Sequence, residues 1–378
     1  MRLWIDLANS PHVPFFRALI DRFNTEGHEV EITARDFAET VPLANAAKLS
    51  VEVVGVHGGR PVSAKAGNLV NRAWSLAGWA RKRKFDLAIS HNSYSQILAA
   101  AALRLKCVTL MDYEYQPANH LAFRFTSRII VPTSFPDKRL RRYGANPRKV
   151  RRYHGTKEDV YLADFQPDPL FESQLSRLGI APDNVLVVMR PPAYDALYHR
   201  FQNSLFDEAL QRLLADANVR VVLLPRSDAQ RAHYGNLGSL VVGAQVLGPQ
   251  SFSPAAATEF ASGATNLDQQ AGMPAVPAYA NLIIPPSPLD GANLIAASDL
   301  VISAGGTINR EAAALGVPVA SVYAGKWAAV DEQLVKEGRL KRLSRVRDIE
   351  SLIVAKKQNL NPRRSRGVID EVVSLILE

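Results

Sequence analysis

Cysteine is almost absent from the sequence, which has one such residue, Cys107, in 378. An internal disulfide is therefore excluded, and the apolar run that contains Cys107 predicts a buried strand thiol. Long hydrophobic runs are also missing, because the longest apolar stretches, Ile97–Leu103 and Val219–Leu224, are too short to span a bilayer. Asp6 stands where a signal peptide needs apolar residues, so we expect a cytoplasmic location.

Familiar metal and phosphate-loop motifs are absent as well. The chain has no Asp-x-Asp, no His-x-x-x-His, no cysteine cluster, no Gly-Lys-Ser/Thr phosphate loop and no dinucleotide fingerprint of three spaced glycines. We therefore expect neither a metal ion nor a cofactor. A bound phosphate would instead be held by helix dipoles and basic side chains.

The chain is strongly basic, with a formal charge of +9 and a pI of about 9.6. This excess permits binding to phosphate-rich partners. It is concentrated between Lys138 and Arg152, with a second group at Arg363, Arg364 and Arg366. No aromatic ladder or helix-turn-helix pattern accompanies these residues, so nucleic acid is not an expected partner. A solvated basic surface and a peripheral contact with the inner face of a membrane both stay open.

Length and composition predict a globular protein of two domains, since 378 residues exceed one ordinary core and 47% of them are hydrophobic. Short β-branched runs alternate with longer amphipathic segments, which indicates mostly parallel sheets covered by helices. We predict a Rossmann-like domain at 1–160, a linker at 161–183, a second Rossmann-like domain at 184–350 and a C-terminal helical segment at 351–378. Residues 243–279 break this rhythm and are predicted to be a long loop, either a flap beside the site or an insertion.

The most informative stretch is Ser303–Glu311. An apolar strand is predicted to end at Ser303, two glycines to form a tight turn, and a helix to begin at once. The free amides of that helix would face a phosphate or diphosphate, and the threonine after the glycines would add a hydroxyl donor. The carboxylate of Glu311, one turn further on, would accept two ribose hydroxyls. The residues of this predicted site are Ser303, Gly305, Gly306, Thr307 and Glu311.

The same stretch resembles the C-terminal-domain motif of GT-B enzymes, in particular UDP-N-acetylglucosamine 2-epimerase and the N-acetylglucosaminyltransferase that makes lipid II. The resemblance implies the GT-B fold, with two Rossmann-like domains facing a central cleft and a UDP-linked sugar as substrate. Asp331-Glu332-Gln333 resembles the family step that contacts the donor sugar or its diphosphate, which makes Gln333 a donor-side contact. Taken alone, these residues also fit a helix N-cap and a solvent-facing helix position.

Over most of its length the chain resembles the family called domain of unknown function 354. The likeness is carried by the Asn-x-Pro-His opening at Asn9–His12 and by the Gly-Gly-Thr-x-x-Arg-Glu-Ala core. The opening also resembles the GT-B start in which a Gly-rich turn precedes His-x-x-Pro, although Asn9-Ser10-Pro11 replaces the glycines here. Asn9 and Ser10 are accordingly substrate-binding candidates. The resemblance implies the fold more than the reaction.

Polar side chains follow several predicted strands of the first domain. His12 lies after the first strand, where α/β sheets bind ligands, and its pKa range suits a general base; a histidine that closes a turn is the alternative. Asp6, on that strand, would orient His12 or act as a base itself. Asp112 and Glu114 follow a strand predicted to end at Met111 and are further acid–base candidates.

Arg190 and Arg226 each follow a predicted strand of the second domain, where a guanidinium would clamp a diphosphate through two hydrogen bonds. The sequence thus predicts an enzyme that acts on a nucleotide-diphosphate sugar. The main hypothesis is a GT-B glycosyltransferase in glycan or polysaccharide synthesis, with a glycan or lipid-linked acceptor. A UDP-sugar 2-epimerase and a non-catalytic nucleotide-sugar-binding protein of the same fold are the alternatives.

Overall fold

The computed structural model describes residues 1–37, 39–56, 62–192, 204–235, 241–242, 245–246, 279–358 and 360–378. The predicted loop at 243–279 therefore falls almost entirely outside the described residues. The strands are β1 (Arg2–Leu7), β2 (Glu29–Asp36), β3 (Val51–Val56), β4 (Leu87–His91), β5 (Cys107–Leu110), β6 (Arg128–Pro132), β7 (Val150–Tyr153), β8 (Val185–Arg190), β9 (Val219–Leu223), β10 (Val241–Val242), β11 (Gln245–Val246), β12 (Leu282–Ile283), β13 (Leu300–Ser303), β14 (Val319–Ser321) and β15 (Lys341–Arg342).

The helices alternate with these strands, as the sequence pattern predicts. They are α1 (His12–Thr25), α2 (Thr40–Ala46), α3 (Val62–Ala80), α4 (Tyr94–Ala102), α5 (Asn119–Phe125), α6 (Asp137–Arg142), α7 (Asp159–Leu162), α8 (Phe171–Arg177), α9 (Leu205–Leu214), α10 (Asp228–Gly235), α11 (Gly291–Ala297), α12 (Gly306–Leu315), α13 (Ala329–Lys336), α14 (Val346–Glu350) and α15 (Gly367–Leu377).

The chain forms two compact units. The first comprises Met1–Phe165, Lys326–Arg339 and Pro362–Glu378, and the second comprises Gln166–Gly325 and Leu340–Asn361. The predicted bounds run once from the first domain to the second, whereas the folded chain returns twice to the first unit, with α13 and with α15. The local sequence pattern predicts a helix at each of these positions. It does not show which of the two units that helix packs against, because this depends on residues far away in the chain.

The first unit contains, among the described residues, a parallel sheet of seven strands in the order β3-β2-β1-β4-β5-β6-β7. Apolar residues of β1 alternate between two cores: Leu3, Ile5 and Leu7 enter one, and Trp4 enters the other. A strand that is buried on both faces is typical of parallel sheets. Helix α15 packs into the first of these cores beside α1 and α7, which explains why it belongs to this unit.

The second unit contains, within its described part, a parallel sheet in the order β12-β9-β8-β13-β14-β15. Its core combines β-branched and leucine residues of β8, β9 and β13 with one face of α9. The prediction of two α/β domains with mostly parallel sheets is confirmed. Among the described helices, none combines the length and the apolar composition that crossing a membrane requires.

The basic stretch 138–152 is not a single surface element. It covers all of α6 except its first residue, a short 3-10 helix and the first three residues of β7, a strand that was not predicted because its residues are charged. Lys149 donates to the carbonyl of Thr126 at 2.8 Å, and Arg151 pairs with Glu378 at 2.8 Å. Some of these basic side chains therefore form hydrogen bonds and ion pairs within the first unit.

Candidate functional site

The turn after β13 is held by its own serine. Ser303 ends the strand with its side chain fully buried, and its Oγ accepts a hydrogen bond from the backbone N–H of Gly305 at 2.9 Å. Gly305 is the N-cap of α12, and Gly306 is the first residue of the helix. The serine hydroxyl is thereby committed to the turn, so the amides of α12, rather than that hydroxyl, are the groups available to a ligand.

Arg226 places its guanidinium directly against this turn. A Cβ at Gly305 would lie 2.5 Å from Arg226 Nη2, so any larger residue at this position would displace the guanidinium. The side chain is anchored by Nε, which donates to the carbonyl of Pro191 at 2.9 Å. Gln230 completes the arrangement, because its Oε1 accepts the Arg226 backbone N–H at 2.8 Å and its Nε2 donates to Pro192. A cation and a helix N-terminus thus converge on one glycine.

Arg190 lies beside the same turn by strand register. It ends β8 opposite Ser303 of β13, and its carbonyl accepts the backbone N–H of Ala304 at 3.2 Å. Two of the arginines named from the sequence, Arg190 and Arg226, are therefore brought to the end of β13.

Helix α12 carries the remaining predicted residues of this turn. Thr307 and Glu311 are partly exposed and four residues apart, so they occupy one face of the helix. Arg310 was not identified from the sequence, yet it is buried and its Nη2 would lie 3.5 Å from a Cβ at Gly306. The Oδ1 of Asn309 is buried and makes no hydrogen bond within the described residues. The helix ends at Gly316, whose φ of 75° places it in the left-handed region.

Asp6 has a different environment from the one that its position suggested. It is fully buried, and Arg72 approaches both carboxylate oxygens, with Nη2–Oδ1 at 2.7 Å and Nη1–Oδ2 at 2.9 Å. Thr33 donates to Oδ1 at 2.6 Å, and Ser93 donates to Oδ2. Asp6 therefore joins β1, β2, α3 and the start of α4. Because both oxygens are committed, this geometry favours a structural role over the predicted role as a base.

His12 is the first residue of α1 and is only 5% exposed. Its Nδ1 accepts the backbone N–H of Ala8 at 3.3 Å. Asn9 and Ser10 form the turn before the helix, and their carbonyls accept the backbone N–H groups of His12 and Val13 at 3.0 and 3.1 Å. The opening segment thus uses its backbone to start α1, and Asn9 leaves its side chain exposed.

Four further ionisable side chains lie buried with His12 or close to it in the first unit. The His12 and His91 rings are 5.1 Å apart between centroids, and His91 Nε2 lies 4.0 Å from Asp112 Oδ1. Lys157 Nζ is 3.5 Å from both Asp112 Oδ2 and Glu158 Oε1. We call this set the buried polar cluster: His12, His91, Asp112, Lys157 and Glu158.

The buried polar cluster forms where strands β1, β4, β5 and β7 end. Those carboxyl ends share one edge of a parallel sheet, the edge at which such sheets bind ligands. Every member is less than 10% exposed, and buried charges persist only when they are paired. Lys157 and Glu158 were missed from the sequence because a Gly-Thr-Lys-Glu run has the pattern of an ordinary polar loop.

The protonation of His12 follows from this environment. Burial lowers the pKa of His12 well below its usual value of 6.5, because a charged imidazole loses its hydration. His91 and Lys157 lower this pKa further, because a positive charge on either neighbour opposes one on His12, and the carboxylate of Asp112 acts in the opposite direction. His12 is consequently neutral at physiological pH.

Glu114, the fourth catalytic candidate, follows β5 in the chain and contacts the first residue of α13. It is 2% exposed, and its Oε1 accepts the backbone N–H of Ala329 at 2.9 Å. Ala329 is the first residue of α13, so the carboxylate satisfies one of the free amides of that helix and opposes the positive end of its dipole. The immediate role of Glu114 is therefore to bind α13 to the first unit.

Gln333 also belongs to the first unit. Its Nε2 donates to Glu337 Oε1 at 3.0 Å on the exposed face of α13. It lines a polar cavity of about 280 Å³ whose wall includes Arg363. Arg363 is 3.6 Å from Asp159 and 3.4 Å from Glu337. The structure thus places Gln333 and the Ser303 turn in different units.

A metal site is not formed by the part of the chain that the structure describes, where no three histidine, cysteine or acidic side chains are grouped closely enough to hold an ion. The candidate chemistry therefore consists of two sets of side chains. One set combines a helix N-terminus with arginines in the second unit, and the other is the buried polar cluster of the first unit.

Two solved structures of similar fold are UDP-GlcNAc 2-epimerases. A UDP-GlcNAc 2-epimerase of Methanocaldococcus jannaschii in complex with UDP-GlcNAc and UDP has a TM-score of 0.69 at 13% identity, covering 100% of this chain and 99% of that one. The UDP-GlcNAc 2-epimerase of Neisseria meningitidis bound to UDP-GlcNAc has a TM-score of 0.68 at 13% identity, covering 100% of both chains. At this identity the likeness shows the fold alone, and the predicted GT-B fold is confirmed.

Sequence comparison identifies the family. A Methanocaldococcus jannaschii protein described as "Uncharacterized protein MJ0665" is 25% identical over 379 residues, covering 100% of this chain and 96% of that protein. The family described as "Protein of unknown function (DUF354)" matches residues 1–280 and 266–378. These matches confirm the resemblance seen in the Asn-x-Pro-His opening and the Gly-Gly-Thr core, and the chain belongs to the DUF354 family.

Proposed function

We propose that this protein is an enzyme that acts on a nucleotide-diphosphate sugar, with the diphosphate bound at the start of α12. The observation that carries the proposal is the guanidinium of Arg226 against Gly305, at the amide end of that helix. Helix amides and a guanidinium are complementary to phosphate oxygens in both charge and hydrogen bonding. The two epimerases of the same fold are bound to UDP-GlcNAc, which supports a UDP-linked sugar as the first ligand to test.

Glycosyl transfer is the reaction that we propose first. When the bond between sugar and diphosphate breaks, negative charge develops on the departing diphosphate, and preorganised donors at the α12 turn would stabilise it. Thr307 would add a hydroxyl donor, and Glu311 would accept hydrogen bonds from the ribose hydroxyls. The buried polar cluster of the first unit contains two carboxylates and a neutral imidazole, and a carboxylate is the kind of group that accepts the proton of an acceptor hydroxyl.

Epimerisation is the second candidate, and a specific observation favours it. Asp112 lies 4.0 Å from His91 and 3.5 Å from Lys157, so a carboxylate, an imidazole and an ammonium are held together. Elimination and re-addition of the nucleotide need an acid and a base of this kind. Incubation with UDP-GlcNAc alone separates the candidates, because an epimerase changes the sugar without an acceptor, whereas a transferase requires one.

The donor site can be tested without knowledge of the reaction. We expect UDP and UDP-GlcNAc to raise the melting temperature, since a ligand that binds only the folded state stabilises it. Arg226→Gln and Glu311→Gln should each weaken UDP binding about tenfold or more, because a hydrogen bond to a charged group contributes about 1.5–3 kcal/mol. Arg177→Gln and Glu350→Gln, on exposed positions of α8 and α14, are matched controls that should bind UDP normally.

Two outcomes would count against the proposal. If no nucleoside diphosphate from a panel of bases stabilises the protein, the donor site does not exist. If UDP binds but neither an acceptor panel nor UDP-GlcNAc alone gives turnover, the chain is a nucleotide-sugar-binding protein that lacks catalysis, the non-catalytic alternative raised by the Asn9-Ser10-Pro11 opening.

The acceptor class is a separate part of the proposal. A glycan and a lipid-linked sugar both fit a glycosyltransferase, and the exposed arginines of α6, Arg141 and Arg142, would suit the phosphates of a lipid-linked acceptor at an anionic membrane surface. Sedimentation with anionic vesicles at low salt tests this point. Binding that is abolished by Arg141→Gln with Arg142→Gln supports the lipid-linked class, and absence of binding favours a soluble glycan.

A further inference from the structure

The two ring nitrogens of His12 are not equivalent. Nδ1 accepts the backbone N–H of Ala8 at 3.3 Å, and the hydrogen of that bond belongs to the peptide. A nitrogen that accepts a hydrogen bond carries no proton itself, so a neutral ring must carry its single hydrogen on Nε2. Within the described part of the chain, Nε2 makes no hydrogen bond of its own.

The surroundings of His12 also disfavour a second proton on the ring. The ring is 5% exposed and lies 5.1 Å from the His91 ring and 6.2 Å from Phe16, so a charged imidazole would have little water around it. The charged and titratable groups packed nearby are His91 at the end of β4, Asp112 after β5, and Lys157 with Glu158 after β7. The ammonium of Lys157 opposes a positive charge on His12, and Asp112 is shared with both His91 and Lys157.

We propose that His12 is a neutral hydrogen-bond donor, which presents Nε2–H to an oxygen atom of the bound substrate and does not remove a proton from it. No bond to hydrogen is made or broken at His12 in this role. The backbone N–H of Ala8 sets which nitrogen carries the hydrogen, and Lys157 and His91 are positioning residues that hold the ring neutral. The substrate oxygen is a hydroxyl, carbonyl or phosphate oxygen, and this part rests on the proposed function.

This proposal changes the role expected of His12 from the sequence. A general base needs an unprotonated nitrogen that faces the acceptor hydroxyl. In this fold the unprotonated nitrogen, Nδ1, is turned to the backbone of its own turn. The carboxylates of the buried polar cluster are then the groups left to accept a proton.

Nitrogen-15 NMR of histidine-labelled full-length protein tests the assignment directly. The chain has 8 histidines, and the spectrum of His12→Gln identifies the His12 signals by their loss. We expect a neutral ring with hydrogen on Nε2 at pH 7, which stays neutral below pH 6.5, the usual pKa of histidine. A ring protonated on Nδ1, or on both nitrogens at pH 7, would overturn the proposal.

Variants of Lys157 and Asp112 test the positioning role. The measurement is the titration midpoint of His12, which would not change if these residues were purely structural. Lys157→Met should raise the titration midpoint of His12, and Asp112→Asn should lower it, because each change removes the charge that acts on the ring. Lys149→Met removes an ammonium bound to the Thr126 carbonyl elsewhere in the unit, so it should leave the midpoint in place. Equal midpoints in all three variants would contradict the role of Lys157.

A pair of His12 variants separates donor from base in turnover. His12→Gln keeps an amide N–H near the position of Nε2, whereas His12→Leu keeps no donor. For a donor we expect His12→Gln to retain turnover within about tenfold and His12→Leu to fall about tenfold further, the size of one hydrogen bond to a polar partner. Equal loss in both would indicate a base. The NMR measurement needs no nucleotide, so its failure and the failure of the donor-site experiment are distinguishable.

Discussion

Arg226 occupies the space that any side chain at residue 305 would need, with Nη2 2.5 Å from the Cβ position of Gly305. The two residues follow β9 and β13, and β8 lies between these strands in the sheet. Arg226 crosses that gap by hydrogen bonding to Pro191, directly after β8. The guanidinium is therefore set against α12 by the ends of three strands, in a geometry that depends on the absence of a Cβ.

The first prediction concerns this contact. Gly305→Ala should displace the guanidinium and weaken UDP binding about tenfold or more, equivalent to roughly 1.4 kcal/mol. Gly291→Ala is the control, since a Cβ at the first residue of α11 meets nothing within 4 Å. Isothermal titration with UDP measures both. Normal UDP affinity in Gly305→Ala would show that the arginine position does not matter for binding.

The second prediction concerns the buried ion pair of Asp6 and Arg72. Asp6→Asn leaves a buried guanidinium without its counter-charge, so we expect the first unit to lose about 3–5 kcal/mol of unfolding free energy. Arg151→Met removes half of the surface pair with Glu378 and should cost less than about 1 kcal/mol.

Urea unfolding followed by tryptophan fluorescence suits this measurement. All four tryptophans, Trp4, Trp74, Trp79 and Trp327, belong to the first unit, so the signal reports that unit alone. If Asp6→Asn lowers the unfolding free energy as little as Arg151→Met does, the ion pair of Asp6 and Arg72 contributes little to stability. Asp6 would then again be a candidate for a reactive carboxylate.

The third prediction concerns Glu114 as the cap of α13. Glu114→Ala should cost about 1 kcal/mol and speed hydrogen exchange in Ala329–Lys336, because the Ala329 N–H loses its acceptor. Glu114→Gln keeps an acceptor oxygen and should cost less. Asp290→Ala removes a surface cap that accepts from Asn293 at 2.8 Å, and should affect exchange only in α11. Unchanged exchange in α13 would contradict the capping role.

The fourth prediction concerns pH. The pKa of His12 in the folded protein lies below 6.5, so as pH falls through 6.5 the unfolded chain binds a proton there that the folded chain does not. The unfolded state then gains stability, and His12 contributes a loss of folding free energy as pH decreases. Unfolding between pH 5 and 8, followed by tryptophan fluorescence, should show a shallower acid decline in His12→Gln than in the wild type. Identical declines would mean that His12 titrates normally.

Features that depend on neighbouring residues were predicted well from the sequence. The strand at Leu300–Ser303 and the helix after Gly305 follow from an apolar run next to two glycines, all within a dozen positions. The alternation of such runs also predicted parallel sheets in two domains. Strand β7 was missed, because arginines at 151 and 152 outweighed the short apolar pattern around them.

Features that depend on distant residues were not predictable in the same way. The place of Asp6 on the first strand made it a candidate base. Its hydrogen-bond partners Thr33, Arg72 and Ser93 lie 27, 66 and 87 positions away in the sequence. Gln333 stays a predicted donor-side contact, but the sequence did not show that its helix, α13, belongs to the first unit. In both cases the sequence names a polar residue correctly and leaves its partner undetermined.

The sequence by itself determined the fold class, the family and the turn at Ser303–Glu311, because periodicity and turn chemistry are local. Only the tertiary structure decided which polar side chains are buried and paired. It committed Asp6 and Glu114 to structural hydrogen bonds, added Lys157 and Glu158 to His12, and turned Nδ1 of His12 towards Ala8. The physical reason is that desolvation and charge pairing depend on distances across the sheet, which the order of residues along the chain does not contain.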